Sequence, residues 1–306
     1  MKDPFSKVNH IFFLVLVSSL LASSFSFIQS ASAIGVTATV DVGLTSVNVA
    51  YDSAKGEIYA TNQNDGTVLV INDTANTVSA TIPVGTAPEG VTYDSGKGEI
   101  FVTNNDGNKV SVINDTTNTI SATITVGTSP SGIVYDSAKG EVYVSNNDAN
   151  TVSVINDTTN TVTATIAVGS GPDGITYDSG KGEVLVANVD SNNVSVINAT
   201  TNTVSATITV GSAPEGIVYD SAKGEIYVSN YHDNTVSVLN DTTNAVITTV
   251  SVGLTPTGIT YDSGKGEILV VNEDSNNVSV ISDSTNTVSA TVTVGVRPTE
   301  IVYDPT

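Results

Sequence analysis

A repeat of fixed length dominates this sequence. The dipeptide Tyr-Asp recurs every 42 residues, without insertion or deletion, at Tyr51, Tyr93, Tyr135, Tyr177, Tyr219, Tyr261 and Tyr303. An unbroken period of this length indicates a repeat architecture, in which each copy forms one supersecondary unit that packs on its neighbours. We therefore assign residues 34–306 to a single domain, with six full repeats at 51–302.

Each copy contains four short segments with strand character and no helical periodicity. In the copy that includes Tyr93 they are 90–94, 99–104, 109–114 and 119–126, separated by turn residues. The fourth segment alternates apolar and hydroxyl side chains, as a strand with one wetted face does, whereas the first three are more apolar and β-branched. Four antiparallel strands per copy predict an all-β fold, a β-propeller. A β-solenoid is the alternative, although its coils are usually shorter.

The ends of the repeat array predict an additional, incomplete blade. A segment similar to the fourth strand precedes the first full copy at 36–42, and one similar to the first strand follows the last copy at 300–304. In a seven-bladed ring these segments would be the outer and inner strands of one blade without its two middle strands. We therefore expect six complete blades plus an incomplete seventh, whose open edges favour self-association.

The first 33 residues predict a secretory signal peptide. Lys2 and Lys7 precede an apolar run at 11–22, and the small residues at 31–33 predict cleavage after Ala33. An uncleaved anchor is the alternative, but the run of about 12 residues is shorter than the ~20 that a membrane-spanning helix needs. We expect a secreted or cell-surface protein with no membrane span in the mature chain.

The composition excludes several classes of function. The chain has 31 acidic and 10 basic residues and a net charge of -21, which argues against nucleic acid as a partner. It has no cysteine, which excludes disulfides, thiolate nucleophiles and Cys-ligated zinc. Its two histidines, His10 and His232, are too few for a multi-histidine metal centre. No cofactor is predicted.

The second strand of each copy carries a tetrapeptide with a known counterpart. It appears as Phe-Val-Thr-Asn at 101–104, and as Tyr-Val-Ser-Asn at 143–146 and 227–230. Together with a Pro-x-Gly before the first strand, this motif resembles the YVTN family of β-propellers over residues 36–304. Two copies, at 185–188 and 269–272, lack the aromatic residue. The resemblance implies a secreted propeller, often seven-bladed and in some members part of archaeal surface layers, but no shared activity.

The loops fall into two sets on opposite ends of the blades. Turns between the first and second strands, and between the third and fourth, hardly change from copy to copy; we call their end of the molecule the constant face. Their Gly, Asn and Asp content indicates turn chemistry. Each constant-face lysine stands two residues before a glutamate, and an exposed pair of this kind contributes only ~0–1 kcal/mol.

The other loops vary, and we call their end the variable face. The middle residue of Pro-x-Gly is Glu89, Ser131, Asp173, Glu215 or Thr257. The three acidic residues among them are expected to converge near the centre of the propeller, either as a calcium-binding ring or as a solvated rim. The turns between the second and third strands include Tyr231-His232 and Glu273. The binding-face candidates are therefore Glu89, Asp173, Glu215, Tyr231, His232 and Glu273, with His232 as an ordinary exposed loop residue as the alternative.

Seven Asn-x-Ser/Thr sequons make the chain a candidate glycoprotein. They are Asn72, Asn114, Asn156, Asn193, Asn198, Asn240 and Asn277. Five share one position at the start of the turn between the third and fourth strands, where the same residues are also good turn formers.

These observations favour a secreted or cell-surface binding and structural module, similar to surface-layer proteins. Its partner would be an extracellular protein, a glycan or a small ligand at the variable face. A propeller enzyme of the lactonase or quinoprotein type is one alternative, although the sequence offers carboxylates and no Ser-His-Asp arrangement. A calcium-dependent adhesin is the other.

Overall fold

The computed structural model describes residues 35–43 and 45–305. The predicted signal peptide at 1–33 and its cleavage after Ala33 lie outside the described residues. The described chain forms six sheets, each of four antiparallel strands in chain order. The prediction of an all-β propeller with four-stranded blades is confirmed.

The six blades follow one another along the chain. Their strands are β1 (Ser46–Asp52), β2 (Glu57–Asn62), β3 (Thr67–Asn72) and β4 (Thr77–Pro83); β5 (Pro88–Asp94), β6 (Glu99–Asn104), β7 (Lys109–Asn114) and β8 (Thr119–Thr125); β9 (Pro130–Asp136), β10 (Glu141–Asn146), β11 (Thr151–Asn156) and β12 (Thr161–Ala167); β13 (Pro172–Asp178), β14 (Glu183–Asn188), β15 (Asn193–Asn198) and β16 (Thr203–Thr209); β17 (Pro214–Asp220), β18 (Glu225–Asn230), β19 (Thr235–Asn240) and β20 (Ala245–Ser251); β21 (Pro256–Asp262), β22 (Glu267–Asn272), β23 (Asn277–Ser282) and β24 (Thr287–Thr293).

The core lies between the faces of neighbouring blades. In each blade the second and third strands are almost completely buried, whereas the fourth strand is largely exposed, with alternation towards its end. Tyr59 and Val68 of the first blade, for example, pack in one cluster with Ile100 and Val102 of the second. Because both faces of a blade are covered, its middle strands can be apolar throughout.

Hydroxyl groups in the second strands connect successive blades. The Ser145 Oγ donates a hydrogen bond of 2.6 Å to the carbonyl oxygen of Asp173 in the next blade, and the Thr103 Oγ1 donates one of 2.8 Å to Ser131. The fourth and sixth blades lack this hydroxyl, because the equivalent residues are Ala187 and Val271. The third residue of the tetrapeptide is therefore an inter-blade connector.

Constant-face lysines make a second set of connections between blades. Lys97 pairs with Asp157 of the following blade at 2.9 Å, and the same type of pair recurs between Lys55 and Asp115 at 2.9 Å. The neighbouring glutamate expected from the sequence is therefore not the main partner. Asp157 is well buried, and the Lys97 and Thr158 side chains hold the pKa of Asp157 below its usual value despite that burial.

The turns of the constant face use the chemistry predicted for them. The Asn114 Oδ1 accepts hydrogen bonds from the backbone N–H groups of Thr116 and Thr117, at 3.1 and 3.0 Å. Gly98 has a φ of 68°, a conformation that glycine adopts without strain. Repetition of these loops therefore reflects the geometry that each hairpin requires.

The prediction of an incomplete seventh blade is wrong. Residues 35–43 and 45–305 form six complete blades and no seventh sheet. The segment at 36–42 packs on the first blade through Val42, next to Ile58 and Ala60, and the segment at 300–304 packs on the sixth blade through Ile301. Neither segment has a neighbouring strand for a hydrogen-bonded ladder, so neither becomes a strand. Self-association of the chain is not tested by this finding and stays a prediction.

Over the part of the chain that the structure describes, no helix combines the length and apolar character needed to cross a membrane.

Candidate binding site at the variable face

The first strands of the six blades surround a central cavity because the Pro-x-Gly motif lets them approach closely. A Cβ atom at Gly174 would overlap the carbonyl oxygen of Glu215 in the next blade, and one at Gly132 would overlap that of Asp173. Glycine is therefore required at these two positions. The side chain of the preceding residue then faces the space enclosed by the blades.

The central cavity has a volume of about 340 Å³ and brings most of the predicted site residues together. It is lined by residues of all six blades and of the segment that follows the sixth: Val47, Asn48, Glu89, Ser131, Gly132, Asp173, Gly174, Glu215, Gly216, Tyr231, Thr257, Gly258, Glu273, Thr299 and Glu300. This volume lies at the lower end of the range for small-molecule pockets. Of the six binding-face candidates, only His232 is not part of the wall.

Glu89 and Asp173 both line the cavity, and the charge of Asp173 disfavours ionisation of Glu89. Burial and the charge of Asp173 raise the pKa of Glu89 to about 7, although Asn105 donates a 2.7 Å hydrogen bond to its carboxylate. Burial also raises the pKa of Asp173, against a hydrogen bond from Ser131. Carboxyl groups with raised pKa values in a cavity are a feature of functional sites, because their surroundings favour neutralisation of the carboxylate charge, either by a proton or by a ligand.

Glu215 and Glu300 also line the cavity, and their pKa values are raised as well. Burial, followed by the charges of Asp173, Glu273 and Glu300, raises the pKa of Glu215 to about 8. Burial, with a further contribution from Asp173, raises the pKa of Glu300 to about 8. The cavity therefore gains negative charge as the pH rises through the neutral range.

Sequence analysis missed Glu300. It occupies the position of glycine in the last Pro-x-Gly-like triplet, Pro298-Thr299-Glu300, and its Oε1 lies next to Gly258 of the sixth blade. The backbone N–H of Gly258 also donates a 3.0 Å hydrogen bond to Thr299. The signal was available, because only this copy has an acidic residue at a position that is glycine in five copies and asparagine, Asn48, in the first.

Tyr231 forms the aromatic part of the cavity wall. Burial and the charges of Glu273 and Glu215 raise the pKa of its hydroxyl. The His232 ring lies against it with the ring centres 5.2 Å apart and the planes at 69°, an edge-to-face arrangement. His232 itself is exposed at the rim, so the two adjacent residues hold different positions relative to the cavity.

An arginine that sequence analysis did not single out lies at the same rim. The Arg297 Nε donates a 2.8 Å hydrogen bond to Glu273 Oε1, and its Nη2 contacts the same atom. The Arg297 side chain is 52% exposed and that of Glu273 is 13% exposed. Arg297 is the only arginine in the sequence, which is the signal that could have identified it.

Backbone contacts join the unusual residues of this rim into one surface. The Thr255 N–H donates to Asn234 in the turn that holds Tyr231 and His232, and the Arg297 N–H donates to Asn276, both at 2.8 Å. Leu254 and Val296 lie next to these contacts and are 54% and 57% exposed. We call Tyr231, His232, Leu254, Val296 and Arg297 the rim patch. In the preceding copies the position of Leu254 is Thr86, Thr128, Ser170 or Ser212, and before the first blade it is Leu44.

The calcium prediction receives no direct support from the geometry. Within residues 35–43 and 45–305, no group of three or more His, Cys, Asp or Glu side chains is arranged to hold a metal ion. The calcium site stays a prediction that a titration can test.

The predicted glycosylation sites lie on both faces of the molecule. Asn72, Asn114, Asn156, Asn198 and Asn240 end third strands at the constant face. Asn193 and Asn277 begin third strands at the variable face, and their Oδ1 atoms accept hydrogen bonds from Asn188 and Asn272 at 2.8 Å. Occupancy of these sequons stays a prediction.

Comparison with known proteins finds similarity of fold. The hydrazine synthase of Kuenenia stuttgartiensis has a TM-score of 0.77 to this chain, at 16% sequence identity, over 92% of this chain and 94% of that one. A protein of unknown function from Desulfotomaculum acetoxidans DSM 771 also has a TM-score of 0.77 and 16% identity, over 90% of this chain and 93% of that one. No family model and no curated protein matches the sequence. At this level of identity the similarity shows the fold alone, and that fold is the β-propeller.

Proposed function

We propose that the protein is a secreted or cell-surface binding and structural module, of the surface-layer type, that binds a cationic group of an extracellular partner in its central cavity. The observation that carries this proposal is the arrangement of four carboxyl groups, from Glu89, Asp173, Glu215 and Glu300, in one half-buried wall. A fifth carboxyl group of this wall, that of Glu273, pairs with Arg297. No lysine or arginine belongs to the part of the wall that the structure describes. A ligand cation would supply the missing countercharge.

The charge distribution sets the sign of the ligand. Glu89, Glu215 and Glu300 have raised pKa values of about 7, 8 and 8, so ionisation of each is disfavoured in the unoccupied cavity. An opposite charge within a few ångströms favours the ionised carboxylate. A bound cation therefore lowers these pKa values, and its binding releases protons near neutral pH.

Tyr231 supports an organic cation. An ammonium or guanidinium group over a tyrosine ring gains ~0.5–2 kcal/mol from the cation–π interaction, in addition to its attraction to carboxylates. The rim patch then places Leu254 and Val296, both more than half exposed, beside the entrance. These features together fit a lysine or arginine side chain of a partner protein, flanked by apolar residues.

Secretion rests on the predicted signal peptide and is tested separately. The intact mass of protein from its native host should correspond to a chain that begins at Ile34. Retention of residues 1–33 would contradict the assignment to the cell exterior.

Binding can be tested with short peptides. We expect acetyl-Leu-Lys-Leu-amide to bind in isothermal titration at a pH above 8, where Glu215 is ionised, and acetyl-Leu-Gln-Leu-amide to bind much more weakly. Glu215→Gln should weaken binding of the lysine peptide by about tenfold, since a charge-assisted hydrogen bond contributes ~1.5–3 kcal/mol. Glu183→Gln, at the constant face, is the matched control and should leave binding unchanged. Equal affinity for the two peptides would overturn the proposal.

A further inference from the structure

The outer strands of all six blades carry no charged residue, although the chain as a whole has a net charge of -21. Their sequences are TVSATIP, TISATIT, TVTATIA, TVSATIT, AVITTVS and TVSATVT. The described acidic residues lie instead in turns, in the first two strands of the blades and in the central cavity. The circumference of an otherwise acidic molecule is therefore neutral; we call β4, β8, β12, β16, β20 and β24 together the neutral belt.

Each strand of the neutral belt is an edge of its sheet. It pairs with the third strand on one side and has no ladder partner on the other among residues 35–43 and 45–305. Proteins usually protect such edges with a charged side chain, a proline or a very short strand. These strands are seven residues long and consist mainly of Thr, Val and Ile, which favour strands, and only β4 ends in a proline, Pro83.

A bulge occupies the first half of each edge and leaves the second half regular. In the second blade, Ile113 pairs with Ile120 and Val112 with Ala122, so Ser121 is the extra residue. The Ser121 Oγ donates a 3.2 Å hydrogen bond to Val112, and a hydroxyl at this position makes the same bond in five of the six blades. Bulges hinder pairing of an edge, so the segment available to another strand is the four residues that follow.

In the second blade, the acid that bonds to the outer strand lies at the bulge, before this segment. The Glu99 carboxylate accepts a 3.3 Å hydrogen bond from Ser121 and is the acid that reaches the outer strand at the bulge. Thr123, two residues further on, lies about 7 Å along the strand from that point. This distance is close to the Debye length of ~8 Å at physiological ionic strength, so salt reduces the repulsion there.

We infer that the neutral belt is a self-association surface, in which the outer strand of one copy pairs edge to edge with the outer strand of a second copy. The occupant is a second copy because the edges are chemically alike and neutral, so two of them complement each other across a twofold axis through main-chain hydrogen bonds. Since a ring with six such edges offers more than one contact, association continues beyond a dimer. The surface is independent of the central cavity.

Sedimentation velocity of the full chain tests this inference. Association should increase with protein concentration, and also as the ionic strength rises from about 0.02 to about 0.15 M, because screening reduces repulsion between the acidic copies. A sixfold lysine variant places a charge in the regular half of every edge, at Thr81, Thr123, Thr165, Thr207, Thr249 and Thr291, all of which are exposed. We expect its association constant to fall by about tenfold, because like charges then face each other across each edge pair.

The matched control carries the same six added charges away from the belt. It has lysine at the exposed turn positions Ala75, Thr117, Thr159, Thr201, Thr243 and Thr285. Both variants reduce the overall negative charge equally, so only the position of the lysines differs, and circular dichroism verifies that both are folded. A parent chain that stays monomeric under all these conditions would overturn the inference, as would equal association of the two variants.

Discussion

The hydroxyl that connects one blade to the next provides a sharp test of how this ring is held together. Ser145 is completely buried, and its Oγ lies 2.6 Å from the carbonyl oxygen of Asp173 in the following blade. In Ser145→Ala this carbonyl loses a donor that the structure holds in the buried second strand. A buried acceptor without a partner costs ~1–3 kcal/mol, so we expect the free energy of unfolding to fall by about 1–2 kcal/mol.

Thermal unfolding followed by circular dichroism measures the effect. A change of ~1 kcal/mol shifts the melting temperature by ~2–4 °C in a chain of 150–250 residues, and the present chain is somewhat longer, so Ser145→Ala should lower it by about 2–6 °C. Ser129→Ala is the matched control, because its hydroxyl bonds to Asp148 at an exposed position. Removal of that exposed bond should change stability by less than ~0.5 kcal/mol.

The natural exception at Ala187 provides the reverse experiment. Ala187→Ser places a hydroxyl where four other copies have one, facing the carbonyl of Glu215, and should stabilise the protein by ~0.5–1.5 kcal/mol. If Ser145→Ala melts like the parent and Ala187→Ser adds no stability, the inter-blade hydroxyl is not a source of stability and the reasoning fails.

Three further predictions concern charge. The folded-state pKa of Glu215 is raised from 4.5 to about 8, so the folded state binds more protons than the unfolded state in this interval. Stability should therefore decrease as the pH rises from 4.5 to 8. Glu215→Gln should flatten the dependence of melting temperature on pH, and an unaltered dependence would contradict the raised pKa. Lys97→Ala should lower the free energy of unfolding by up to ~1 kcal/mol, with a smaller loss at high salt. Lys265→Ala should lower it less, because the acid paired with Lys265 is 3.8 Å away and belongs to the same blade. Equal losses in the two variants would refute an inter-blade role for Lys97. Combined replacement of Glu89, Asp173 and Glu215 by alanine should abolish binding of the lysine peptide without loss of folding at pH 8. Titration of the parent chain with calcium, monitored by melting temperature, tests the calcium prediction.

Much of the fold could be predicted from the residues of one repeat. Its period, its four strand segments and the Asn, Asp and Gly of its turns act locally, through hydrogen bonds within a hairpin and alternation along a strand, so they are visible in any copy. The same local signals gave the wrong answer at the chain ends. The segment at 300–304 resembles a first strand, but a strand requires a partner for its hydrogen-bonded ladder, and no sheet of the described residues includes this segment.

The residues of the candidate site were likewise only partly predictable from the sequence. Comparison of copies found Glu89, Asp173 and Glu215, because each replaces a neighbouring copy's residue within an otherwise constant motif. It missed Glu300, whose motif is degenerate, and Arg297, whose importance depends on its contact with Glu273 across a turn.

The sequence by itself determined the repeat, the blade and the acidic character of the protein, because these depend on composition and short-range pattern. Only the tertiary structure decided that four carboxyl groups meet in one cavity, that Lys97 pairs with the next blade rather than with the adjacent glutamate, and that the neutral strands form the circumference. These outcomes depend on distances between residues that are remote in sequence, and such distances are set by how the blades pack around a common centre.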